Sequence, residues 1–275
     1  MRRSRIEKIK NGKAEKKRGF FWLLYLVIGL VVFSLAVFFV KLLLLPKYYF
    51  VDNAKETTDI YIVDTEQDKY TRLLIPGATE VSSACSYGKY KIGNLWKMVS
   101  KDSDCHHLMT TTIVKNFGFP VYLWKDGKDT NLNLLQVTKF YMVRSKFVDV
   151  NLNKYQFLKP SEFKDGSSGY VVSSKSPEDI LVYFVDNQAG DIHDIELSDL
   201  TGNIDTLEQL EQLFSVFGLK IKDYKKGYDE NLDCQVYGGN QKLVKLFSKI
   251  LLCDVVNEQT VQFGLRVGSL FARRF

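Results

Sequence analysis

Proline, histidine and cysteine are all scarce in this chain: 5, 3 and 4 among 275 residues. So few prolines, with only 18 glycines, exclude a Pro/Gly-rich or collagen-like chain. Three histidines leave little for a metal centre. Cys105-His106-His107 has the look of a ligand cluster, but His193 lies far away in sequence, and zinc needs three or four ligands at workable spacing. The chain also lacks G-x-x-x-x-G-K-[ST], a strand–helix G-x-G-x-x-G, G-x-S-x-G and H-E-x-x-H. No internal repeat is present. Hydrophobic residues at 45% and charged residues at 25% exclude a disordered chain.

A basic body is missing as well. Lys and Arg number 38 against 32 Asp and Glu, a net charge of +6. Residues 1–18 hold nine basic and two acidic residues, which is +7, so the rest of the chain sums to −1. Residues 51–275 alone carry 27 basic and 30 acidic residues, a net −3. A basic domain for nucleic acid therefore has no support.

The basic tail meets an uncharged block of 22 residues, Gly19–Val40. As a helix it would be roughly 33 Å long, enough for a hydrocarbon core of about 30 Å. Lys41 can snorkel, and Leu42–Leu45 extend the run to Pro46. Trp22, Tyr25, Tyr48 and Tyr49 lie near its ends, where amphipathic rings prefer to sit. A cleavable signal peptide has a shorter apolar region and an A-x-A-like site, and neither is seen. The expectation is an uncleaved signal anchor, with the tail in the cytoplasm and residues 47–275 outside.

Four cysteines fit an oxidising location. Cys85 and Cys105 lie in one half of the ectodomain, Cys234 and Cys253 in the other. Two local disulfides are one reading, and buried free thiols the other. Downstream, Asp52–Thr58 reads as a polar spacer, and 60–63 with 70–75 as a hairpin. Helices are expected near 94–100 and 105–116, with Gly118 as a stop, and a strand at 120–124. Residues 131–144 are ambiguous between helix and strand. Pro160–Asp179 reads as a linker, followed by a strand at 180–186. Strands at 192–197, 219–224, 234–237 and 261–267 then alternate with helices at 206–217 and 241–252. That alternation predicts a small α/β domain. Gly238-Gly239-Asn240 reads as a turn before a helix rather than an anion site.

The order of these pieces resembles the LytR-CpsA-Psr family of bacterial envelope proteins. The family stretch R-x-D-t-φ-φ-φ, a turn, then φ-φ-S-φ-P-R-D-T is matched by Thr57-Thr58-Asp59-Ile60-Tyr61-Ile62-Val63 and Leu73-Leu74-Ile75-Pro76-Gly77-Ala78-Thr79. Its K-I-N-x-A-φ segment is matched by Tyr90-Lys91-Ile92-Gly93-Asn94-Leu95-Trp96, and its L-G-φ-x-φ by Phe117-Gly118-Phe119-Pro120-Val121. Ile195-Glu196-Leu197, Leu200-Thr201-Gly202, Phe217-Gly218-Leu219-Lys220-Ile221 and Val267-Gly268 look like the family's accessory C-terminal domain. The resemblance covers about 57–125 and 190–275.

It implies a division into a cytoplasmic tail (1–18), a transmembrane anchor (19–45), an extracytoplasmic LytR-CpsA-Psr-like α/β domain (55–188) and a LytR C-terminal-like α/β domain (189–275). Family members move anionic glycopolymers from a polyprenyl-pyrophosphate carrier to the cell wall. That chemistry calls for arginines on the phosphates and a carboxylate-held Mg²⁺. Here Gly77-Ala78 replaces the motif's R-D, and Thr57 replaces the earlier arginine. Asp59 keeps the one matching metal-ligand position. Arg72, Thr79, Lys89, Lys91, Trp96 and Arg144 are the candidate cleft residues, with Lys146 a later cation. Tyr87, Tyr90, Leu95, Met98 and Trp124 lie where the family builds its lipid-facing region. The expected function is a catalytically degenerate binder of a glycopolymer, lipid-linked precursor or partner protein. A divergent Mg²⁺-dependent phosphotransferase is the alternative.

Overall fold

The computed structural model describes residues 22, 25–54, 56–99, 107–152, 157–173, 193–201, 203–216, 219–257 and 263–275. The basic tail, Cys105, His106, Gly202, Gly218 and the strand expected at 180–186 lie outside them. The first helix, α1 (Tyr25–Leu43), has 19 residues and is long and apolar enough to cross a membrane. This is consistent with a single-pass protein. The rest is mixed α/β, with three sheets.

The strands follow in chain order as β1 (Tyr48–Ala54), β2 (Thr57–Asp64), β3 (Lys69–Pro76), β4 (Thr79–Ser82) and β5 (Lys89–Lys91). Helices α2 (Ile92–Val99) and α3 (Leu108–Phe117) come next, then β6 (Leu123–Asp126), β7 (Asp129–Thr130), α4 (Leu134–Val143), β8 (Val148–Asn151), β9 (Leu158–Glu162) and β10 (Ser168–Val172). The C-terminal part adds β11 (His193–Asp199), α5 (Ile204–Val216), β12 (Leu219–Lys226), β13 (Cys234–Tyr237), α6 (Gln241–Ile250), β14 (Asp254–Val255), β15 (Phe263–Val267) and α7 (Ser269–Arg274).

The largest sheet runs β7-β6-β1-β2-β3-β8. Its middle strands are nearly continuous apolar runs, because helices cover both faces. On one face Tyr49, Val51, Ile60, Ile62, Leu73 and Ile75 pack against Leu95 and Trp96 of α2 and Met109, Ile113 and Phe117 of α3. On the other, Tyr48, Phe50, Tyr61 and Tyr70 pack against Phe140 and Val143 of α4. Phe140 meets Phe50 and Tyr61 edge-on, each at 5.1 Å between centroids. Residues 131–144 thus resolve into a helix. Asn133 caps it by accepting from Gln136 N at 2.9 Å, and Gln136 Oε1 accepts from Asn133 N at 2.9 Å. Gly118, with φ 67°, stops α3 where expected.

Two expectations are corrected. The supposed spacer is not a spacer: Asp52 to Ala54 end β1 and Thr57 and Thr58 begin β2, in register as a hairpin. The polar residues occupy only the end of a strand whose start, Tyr48–Val51, is apolar. The supposed linker holds β9 and β10, an antiparallel pair that joins β4 and β5 in a second sheet, β5-β4-β10-β9. Ser and Gly there serve the turn between the two strands.

The C-terminal sheet runs β12-β11-β15-β13-β14, with β13 and β15 antiparallel and the other pairs parallel. Leu210, Leu213 and Phe214 of α5 and Val244, Phe247 and Ile250 of α6 bury its faces. Asn240 caps α6, accepting from Leu243 N at 3.2 Å. Val114 of α3 belongs to this core as well, so the two α/β units share packing. They are also stitched at the terminus: Cys85 N donates to Arg274 O at 3.0 Å, and Ser86 Oγ donates to Arg273 O at 2.9 Å.

Cys234 and Cys253 form a disulfide across 19 residues, and Cys85 is disulfide-bonded too. Closing a loop of that length in the unfolded chain stabilises the fold by about 3 kcal/mol. Replacing both Cys234 and Cys253 by Ala should lower the urea-unfolding free energy of the C-terminal unit by about that amount. An unchanged midpoint would show that the bridge adds nothing.

Candidate functional site

Cross-strand registers place charged residues on the α4 face of the large sheet, beyond the end of its aromatic cluster. One row reads Lys125–Asp52–Asp59–Leu74–Asn151 across β6, β1, β2, β3 and β8. The neighbouring row reads Leu123–Phe50–Tyr61–Arg72–Asp149. The opposite face at the same level is apolar, with Val51, Ile60, Leu73 and Val150 in register. The strand alternation therefore sends the charges to one side only.

Asp59 is fully buried, so its charge needs partners. Arg72 reaches it diagonally: Nε and Nη2 both donate to Oδ2, at 2.8 and 2.6 Å. Thr57 Oγ1 donates to Oδ1 at 2.6 Å. The third guanidinium nitrogen, Nη1, lies 3.5 Å from Asp149 Oδ2, and the guanidinium stands 5.8 Å from the Tyr61 ring centroid. Burial alone would lower the Arg72 pKa, but the hydrogen bond and charge of Asp59 outweigh it and hold the group above its ordinary value. Burial likewise pushes the Tyr61 hydroxyl up to about 12, against the pull of Arg72.

Next along the row, Lys125 Nζ donates to both oxygens of Asp52, at 3.1 and 3.2 Å. Burial raises the Asp52 pKa, and Lys125 draws it part of the way back. Asn53 Nδ2 donates to Asp126 Oδ1 at 2.9 Å, tying β1 to β6 at the rim. The cluster thus holds Asp52, Asp59 and Asp149 against Arg72 and Lys125. It has no positive surplus with which to draw in a polyanion. Asp59 is the position matched to a metal ligand, yet Thr57 and Arg72 engage both of its oxygens. A Mg²⁺ would have to displace Arg72, so these side chains fit an ion-pair network better than a metal shell. Among the described residues, no group of three His, Cys, Asp or Glu stands ready to hold an ion.

Of the candidate cleft residues named from the sequence, only Arg72 joins Asp59. Lys89 sits in the second sheet, 3.8 Å from Glu80. Lys91 Nζ donates to Ser167 Oγ at 2.6 Å and lies 3.5 Å from Asp165 Oδ2. The Ser167 hydrogen bonds, with Lys91 beside them, hold the Asp165 carboxyl down near 2. Arg144 is exposed just after α4, where its charge reaches Tyr61. Thr79 is buried in β4, and its Oγ1 makes no hydrogen bond among the described residues. Trp96 is a core residue whose Nε1 donates to Thr58 Oγ1 at 3.1 Å. Leu95 is core too, Met98 and Trp124 flank that core, and Tyr87 and Tyr90 are exposed. Lys146 pairs with Asp68 at 3.2 Å on the surface.

Asp52, Lys125 and Asp149 were missed. Only the registers of β1 on β6 and of β3 on β8 could have found them, since Asp52 alone looks like spacer and Lys125 like a loop residue. No protein-family model matches the chain, and no curated protein matches its sequence.

Breaking the central pair should be costly. Arg72→Met leaves a buried carboxylate uncompensated and should destabilise the protein by about 3 kcal/mol in urea unfolding. Adding Asp59→Asn should restore most of that loss, and an additive double variant would count against the coupling. Asp52 gives a pH signature. Its native carboxyl holds a proton more tightly than the unfolded chain does, so it erodes stability as pH rises from the ordinary carboxylate value to its raised one. Asp52→Asn should remove that component from the stability–pH curve, and an unaltered curve would reject it.

Proposed function

We propose that the chain is a membrane-anchored, extracytoplasmic cell-envelope protein of LytR-CpsA-Psr type that binds rather than transfers. Its ligand would be a glycopolymer, a lipid-linked glycan precursor or a partner protein. The N-terminus would face the cytoplasm, with both α/β units outside.

The observation that carries this reading is the packing of Gly77. In the resemblance, this position corresponds to the arginine of the P-R-D-T motif. Gly77 N donates to Glu56 O at 2.9 Å, and Gly93 N donates to Gly77 O at 3.0 Å. A Cβ on Gly77 would stand 3.0 Å from Glu56 O, and one on Gly93 would stand 3.2 Å from the Gly77 backbone. Two glycines thus close the turn backbone to backbone, with little room for a phosphate-binding side chain. The balanced charges around Asp59 support the same reading. Cleaving a pyrophosphate bond, with a lipid phosphate as the leaving group, requires cations aimed at developing negative charge, and loss of one such donor commonly costs about 10²–10³ in rate.

One observation favours the alternative, a divergent phosphotransferase. Arg72 does converge on Asp59, and its side chain is 30% exposed, so part of the fork can be approached from solvent. Full-chain protein in detergent, given a synthetic polyprenyl-pyrophosphate glycan and Mg²⁺, separates the two. The binding reading expects retention of glycan with no pyrophosphate bond cleaved. Turnover that disappears in Asp59→Asn would overturn it.

A further inference from the structure

Helix α4 is apolar on both sides, which is unusual for a helix at a domain surface. Phe140 and Val143 fill the sheet-facing side. On the other side Leu134, Tyr141 and Met142 are 72%, 53% and 60% exposed. Positions 134, 141 and 142 fall on one stripe at 3.6 residues per turn. Lys139, Arg144 and Lys146 lie on or just after the helix.

What could cover this stripe follows from where α4 is fixed. Only four residues separate α1 from β1, so Leu43 and Tyr48 lie within about 18 Å even if the chain is fully extended. The junction is also pinned. Leu45 packs in the same cluster as Phe140 and Val143, and Thr65 Oγ1 donates to Leu45 O. Lys47 lies 3.4 Å from Asp64, and Tyr48 OH donates to Gln136 O within α4 at 2.8 Å. The segment that directly follows the apolar helix therefore shares one packed core with α4. A domain held this closely to a membrane-spanning helix sits at the headgroup layer, with no free linker to lift it away.

We propose that the Leu134–Tyr141–Met142 stripe of α4 seats on the lipid headgroups of the membrane that α1 crosses. The inference rests on α1 spanning that membrane. It commits to a lipid surface because the stripe has the make-up of an interfacial contact: long apolar side chains, a tyrosine and neighbouring cations that meet phosphodiester headgroups. The anchored domain is then oriented, and α4 acts as its second foot beside α1. The charged row around Asp59 shares the α4 face of the sheet, so the seat would hold that row at a set height above the lipid.

Tryptophan quenching in nanodiscs tests this with the full chain. Met142→Trp and Leu134→Trp place a reporter at exposed positions, and Tyr228→Trp, in the C-terminal unit, serves as the control. Tyr228 is 65% exposed. Emission added by each reporter is read as the difference from the parent protein. Brominated lipid should abolish most of the emission added at 142 and 134 and leave that at 228 intact. Quenching at 142 and 134 no greater than at 228 would overturn the proposal. So would reporters shielded from aqueous iodide but untouched by bromolipid in a dimeric sample, because the stripe would then belong to a second copy. Trp22 lies near α1, and a parent protein unquenched by bromolipid would remove the membrane and the proposal together.

Discussion

A six-stranded sheet with helices on both faces cannot carry charge in its middle without a partner, and much of this molecule is arranged around that constraint. Where α4 covers the sheet, the strands present Phe50, Tyr61 and Tyr70, and aromatic edges fill the gap. Past the end of that cluster the same strands present Asp52, Asp59 and Arg72. Burial of Asp59 is tolerable only because Arg72 and Thr57 complete its hydrogen bonds. The pair works across strands, so it also fixes the register of β2 on β3. A slip by one residue would turn the carboxylate into the apolar face.

The elements most legible in the sequence are those whose periodicity is unmixed. The β2–β3 hairpin, the stop of α3 at Gly118 and, after residue 193, β11, α5, β12, β13, α6 and β15 fall close to where the apolar pattern puts them, whereas β14 and α7 are not foreseen. Boundaries failed where polarity had a tertiary cause. Asp52 to Ala54 look like spacer because the Asp52 charge is answered by Lys125 and the Asn53 amide by Asp126, some seventy residues later, which no local window contains. The β9–β10 pair reads as linker because its residues serve an edge of the smaller sheet. Asp59 and Arg72 were both visible as candidates, but their convergence depended on the hairpin register. Lys89 and Lys91 looked equivalent to Arg72 in composition and lie in another sheet altogether.

The two α/β units are less separate than two local cysteine pairs would suggest. Val114, on α3 of the first unit, is buried in the second unit's core. The last helix returns to the first unit through the carbonyls of Arg273 and Arg274. Arg274 also donates through Nη2 to Leu252 O at 3.2 Å and through Nε to Asp233 at 2.8 Å, beside the Cys234–Cys253 bridge. The chain terminus thus ties the disulfide region to the loop that carries Cys85. Reduction in the C-terminal unit would therefore be felt at the contact between units, not only inside one of them.

Charge separates the two ends of the functional question. The +7 of residues 1–18 lies before the apolar helix, while residues 51–275 sum to −3. A site for a pyrophosphate-linked polymer in a net acidic body would need a local concentration of cations. The cations nearest Asp59 are already committed to carboxylates, and Gly77 is packed against backbone. The charge balance around Asp59 is thus set by the protein's own side chains, since Arg72 answers Asp59 and Asp149 while Lys125 answers Asp52.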